Sequence, residues 1–117
     1  LHLLYDVRGA LATLHRLLAP GGVLLCTAPG LSPIDPHDWR DRWYWALTEH
    51  SMTRLLADAF GDGQSDVRTF GNVLTASAFL YGLAAEELTD AEYAAHDPSY
   101  AVVVAARAVK RAAPDAK

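Results

Sequence analysis

Apolar residues recur at three- and four-residue steps near the start of the chain. Val7, Leu11, Leu14 and Leu18 share one face of a helix, while Arg8, Thr13 and Arg16 fall toward the other. Asp6 can cap this helix, and Pro20-Gly21-Gly22 stops it and turns the chain. The period then changes. Val23-Leu24-Leu25-Cys26-Thr27-Ala28 is short, nearly all apolar and bounded by glycine and proline, which predicts a strand covered on both faces, as in a parallel sheet. Helix, tight turn and buried strand form the αβ half of an α/β unit.

From Pro29 to about Leu47 no period survives, and Pro29, Gly30, Pro33, Pro36 and Asp38 interrupt any helix. Long structureless loops are uncommon inside compact domains and are often binding or lid elements. This one leaves the carboxyl end of a buried strand, where open α/β sheets take their ligands. A second helix is expected from Thr48 or Ser51 to Phe60, with Met52, Leu55, Leu56, Ala59 and Phe60 as its buried stripe. Val67 to Phe70 predicts a short strand. Asn72 can cap a third helix, Val73 to Tyr81, whose apolar residues run almost all round it and predict packing between neighbours. Thr89 and Glu92 have capping-box spacing for a further short helix. The valine-rich run from Tyr100 to Val109 predicts a central strand covered on both faces.

Composition narrows the class. The 117 residues carry 10 Lys+Arg against 14 Asp+Glu, a formal charge of −4, with 51% apolar residues, as in an ordinary globular chain. Mild acidity argues against a nucleic-acid surface, which needs clustered cations. No apolar run reaches the roughly 20 residues of a membrane helix. Cys26, the single cysteine, lies within an apolar run and reads as a buried, unreactive thiol suited to a reducing, cytoplasmic compartment. The opening Leu1-His2-Leu3-Leu4-Tyr5 is apolar and lacks an initiator methionine, so it reads as the interior of a larger fold. Residues 111–117 lose the apolar pattern and read as a flexible tail.

Several of these segments together resemble a known family. Leu11-xx-Leu14-xx-Leu17-Leu18-Ala19-Pro20-Gly21-Gly22-Val23-Leu24-Leu25 resembles the turn from the fourth helix into the fifth strand of class I methyltransferases that use S-adenosylmethionine. The likeness continues through Trp43-Tyr44-Trp45-x-x-Thr48, Leu55-Leu56-x-x-Ala59-Phe60-Gly61, Tyr81-Gly82-Leu83-Ala84-Ala85-Glu86-Glu87-Leu88 and the closing strand, covering residues 1–110. It implies an α/β fold: the C-terminal half of a Rossmann-like methyltransferase sheet, with helices on both faces. Strands 23–28, 67–70 and 100–109 would be the fifth, sixth and seventh, the last inserted antiparallel between the other two. The family's Gly-rich cofactor turn and acidic strand end have no counterpart here. The resemblance therefore implies that the cofactor-binding half lies outside these residues. It also implies an open sheet edge prone to self-association, and contact with the cofactor only near His2 and Leu3.

The reaction the resemblance implies is methyl transfer from S-adenosylmethionine to a small-molecule acceptor. Such a transfer needs alignment of nucleophile, methyl and sulfur, plus a base where the acceptor ionises poorly. Trp39, Trp43, Tyr44 and Trp45 are candidate acceptor contacts, able to stack on a planar molecule or enclose a sulfonium. Alternatively, Trp43 and Trp45 pin the loop onto the core. His37 and His2 are the candidate bases, since imidazole titrates near neutrality. Arg40 and Arg42 could hold an anionic group, although a solvated mixed-charge loop accounts for them equally simply. No pair among His2, His15, His37, His50 and His96 has the spacing of a zinc-binding helix, and no metal is expected. An alternative to the enzyme is a non-catalytic α/β interaction module that pairs with another chain.

Overall fold

The computed structural model describes residues 1–112. Helix α1 (Val7–Leu17) leads into strand β1 (Val23–Pro29), and a long loop precedes helix α2 (Glu49–Phe60) and strand β2 (Ser65–Phe70). Helices α3 (Val73–Tyr81) and α4 (Asp90–Ala94) then come before strand β3 (Val103–Val109). The caps are those the sequence offers. Asp6 accepts from the Gly9 amide at the start of α1, and Thr48, Asn72 and Thr89 each form a reciprocal capping box. Strand β2 begins two residues before the expected Val67, and β3 begins at Val103 because Pro98–Tyr100 forms a 3₁₀ turn instead. The expected tail falls partly on residues 113–117, outside the described residues.

The sheet order is β1-β3-β2, and β3 runs antiparallel to both neighbours. The last strand is therefore central, and β1 and β2 point the same way. Register fixes the two faces. Ala28, Val104 and Thr69 form one row, Cys26, Ala106 and Val67 the next, and these rows face the core. Onto them pack Leu11 of α1 and Met52, Leu56 and Phe60 of α2. The small side chains of Ala106 and Ala108 let α2 lie close to the sheet.

The opposite face corrects the expectation of doubly covered strands. There Leu25 is 72% exposed and Val23 42% exposed, and burial alternates along both β1 and β3. The physical reason is that α1 and α2 occupy the same face, so each strand buries only alternate residues. Helices on both faces are realised only in part, because α3 stands beside Phe70 and Val103 at one end of the second face. Helix α3 itself is not enclosed between neighbours. It buries Thr75, Ala76 and Ala78 and leaves Val73, Leu74, Phe79, Leu80 and Tyr81 exposed. Strand β1 pairs only with β3 among the described residues, so its other edge is open. No helix among the described residues is long and apolar enough to cross a membrane.

Candidate functional site

The loop between β1 and α2 is clamped where it leaves and rejoins the sheet. The Gly30 amide donates to the Val102 carbonyl at 2.9 Å, and the Leu47 amide donates to the Pro29 carbonyl at 3.0 Å. Gly30 is required there, because a Cβ would collide with the Ala101 carbonyl. Leu47 is buried in the core and anchors the far end of the loop. The middle of the loop is exposed and locally organised. Asp35 accepts from the His37 amide at 2.7 Å, and Arg40–Arg42 forms a single 3₁₀ turn.

After that turn the chain meets its own first residues. The Tyr44 and Trp45 amides both donate to the His2 carbonyl, at 3.0 and 3.3 Å, and the Trp45 indole N–H donates to the Leu4 carbonyl at 2.9 Å. The rings follow this backbone pairing. His2 lies 4.6 Å from Trp43 between ring centres, Tyr5 meets Tyr44 edge-on at 5.4 Å, and Tyr5 stacks on Trp45 at 6.3 Å. Trp43, Tyr44 and Trp45 therefore pin the loop to residues 2–5, not to the core as the alternative expectation had it. Leu47 serves as the core anchor.

His2 is the chemically distinctive member of this cluster. Its Nδ1 is buried with no hydrogen-bond partner among the described residues, an uncommon state for a buried polar atom. Burial lowers its pKa below the ordinary 6.5. The imidazole is thus neutral at neutral pH and can accept or donate a proton according to its tautomer. Leu3 is half-buried beside it.

The structure separates the remaining candidates from this cluster. His37 is exposed, and no hydrogen bond or ring contact among the described residues involves its imidazole. Trp39 is also exposed and joins none of the ring contacts. Arg40 and Arg42 form no ion pair among the described residues. No three His, Cys, Asp or Glu side chains converge on a common point among the described residues. Cys26 faces the core rows but is only partly buried, not enclosed as expected, because β1 is an edge strand. That partial burial raises its pKa and keeps its thiol protonated.

Three contacts escaped the sequence reading. Tyr5 joins the aromatic cluster, His15 packs edge-on to Phe60 at 4.9 Å, and His96 Nε2 lies 3.0 Å from the Thr69 hydroxyl. The exposed aromatic Tyr5 beside the Asp6 cap was the one available signal. The others join residues far apart in the chain. Comparison of the chain with protein-family profiles, curated proteins and solved structures returns no match.

Proposed function

We propose that these residues form the acceptor-side half of an S-adenosylmethionine-dependent methyltransferase acting on a small molecule. The observation that carries this reading is the sheet order. The last strand lies antiparallel between two strands that run the same way, after a helix, a Pro-Gly-Gly turn and a strand. The open edge of β1 and the bare face bearing Val23 and Leu25 supply a place for further strands and helices of the same domain.

The fit of the cofactor to the residues present is one-sided. The aromatic faces of Trp43, Tyr44 and Trp45 and the unpartnered Nδ1 of His2 suit a methyl-bearing cation and its acceptor. A Gly-rich turn and a ribose-binding carboxylate are not among these residues and belong to the upstream half of the proposal. When bound, S-adenosylmethionine supplies an electrophilic methyl group. The chain's own part is to orient the acceptor against the aromatic cluster and exclude water from it. Of the two candidate bases, His2 lies within the aromatic cluster and His37 stands apart from it. His2 is therefore the one placed to take the acceptor's proton once an acceptor displaces the contacts that cover its Nδ1. Trp39 and His37 serve in this scheme only if the exposed part of the loop folds inward over an acceptor.

The same open edge favours a second reading, an interaction module that joins another chain by strand addition. The coding sequence immediately upstream of the Leu1 codon separates the two. The methyltransferase reading expects a strand, a Gly-rich turn and an acidic strand end encoded there. A start codon directly before Leu1 would overturn it in favour of the module.

A further inference from the structure

Between β2 and β3 the chain makes a long excursion that folds back beside the sheet. Phe70, Val102 and Val103 form the floor of a cavity of about 360 Å³, and Phe79, Leu83 and Tyr93 form its walls. Its sides are fixed by hydrogen bonds. Asn72 caps α3 by accepting from the Thr75 amide and donates through Nδ2 to the Glu92 and Ala95 carbonyls, at 2.8 and 2.6 Å. The Tyr93 hydroxyl donates to the Ala85 carbonyl at 2.9 Å, the Leu83 amide to Ala78 at 3.0 Å, and the Asp97 amide to Gly71 at 2.9 Å. Gly71 has φ +133°, and a Cβ there would stand 2.6 Å from the Tyr100 carbonyl oxygen, so the bend at the cavity floor is specific to glycine.

The lining specifies what the cavity can hold. No charged side chain contributes to it. Its two hydroxyls are already engaged, Tyr93 with Ala85 and Thr75 with the Asn72 backbone. A charged ligand would lose its hydration and find no partner. Glu86 and Glu87 follow Ala85 directly, and Glu92 precedes Tyr93, so the flanking sequence also disfavours an anion. Size sets the other bound. An apolar cavity of roughly 150 Å³ takes one benzene ring, so this one has room for two or three rings. The floor adjoins the exit of the loop, where the Val102 carbonyl accepts from the Gly30 amide at 2.9 Å. The lining nevertheless shares no residue with the aromatic cluster of His2, Tyr5, Trp43, Tyr44 and Trp45.

We propose that this cavity is a binding site for a neutral apolar small molecule of about two to three rings, distinct from the aromatic loop cluster. The assignment does not depend on the methyltransferase reading.

The test is a fluorescence titration of the full chain with N-phenyl-1-naphthylamine, a neutral three-ring probe. Saturable binding of one probe per chain is expected. Leu83→Asp and Phe79→Asp alter exposed side chains and should retain the fold by circular dichroism, yet each weakens binding by about tenfold or more. Leu25→Asp, on the bare sheet face, leaves the affinity unchanged. The sulfonated analogue of the same ring skeleton binds more weakly than the neutral probe. In the wild-type chain, nuclear magnetic resonance shifts should concentrate at the Ala78, Leu83, Val102 and Val103 methyl groups. Non-saturable binding, loss of affinity in Leu25→Asp but not in the cavity variants, or methyl shifts centred on Val23 and Leu25 would each overturn the assignment.

Discussion

Two leucines test the single-faced core against each other. Leu56 on α2 is fully buried, enclosed with Leu11, Met52, Phe60 and Val104. Leu25 on β1 is 72% exposed. Truncating Leu56 to alanine removes three buried carbons, worth roughly 2–2.5 kcal/mol in lost transfer energy. A cavity term adds to this, because the Ala106 and Ala108 side chains across the gap are too short to fill it. The expected cost is about 3–4 kcal/mol, a large part of the roughly 5–15 kcal/mol that stabilises a domain. Leu25→Ala should cost less than about 0.5 kcal/mol. Equilibrium urea unfolding, followed by far-ultraviolet circular dichroism with a common slope, measures both. Similar costs for the two variants would refute the assignment of the covered face. On the proposed reading, the cost of Leu25→Ala rises to about 2 kcal/mol in a protein that includes the upstream half, as that face becomes covered.

Asn72→Ala should cost about 2 kcal/mol or more, since it removes a helix cap and both carbonyl contacts that tether α4. Asn72→Asp keeps the cap but loses those two donors, so intermediate stability by the same unfolding assay is the expected outcome. His2 should make the docking of residues 2–5 pH-dependent. Its folded pKa lies below 6.5, so docking is strongest above about 6.5 and weakens as pH falls from there toward the lower folded value. Tryptophan fluorescence across that range should show a step that His2→Gln abolishes. Cys26 should react with a thiol reagent far more slowly in the folded chain than in urea, because burial keeps its thiol protonated. Equal rates would place it outside the core rows.

What the sequence made legible was local. Asp6, Thr48, Asn72 and Thr89 marked four helix starts because a cap and its partner amide lie within three residues. Pro20-Gly21-Gly22 marked the turn into β1 for the same reason. Coverage was not legible. Leu25 and Leu24 are the same residue type in one apolar run, yet only Leu24 packs against the core. That difference depends on where α1 and α2 lie. Helix α3 misled similarly, since an apolar surface does not state whether neighbours exist to cover it. Of the aromatic cluster, some members were legible in the sequence but their partners were not. Trp43, Tyr44 and Trp45 stood out, whereas their contacts with His2, Leu4 and Tyr5 span about forty residues and leave no periodic trace.

The methyltransferase reading stands or falls on cofactor binding by the protein translated from the whole reading frame. Isothermal titration with S-adenosylhomocysteine, the product of the proposed reaction, measures this directly. Saturable binding at one site per chain is expected, weakened when Trp43 or His2 is replaced by alanine. Absence of binding by that protein, folded and monodisperse, would contradict the methyltransferase reading and leave the interaction module as the better description.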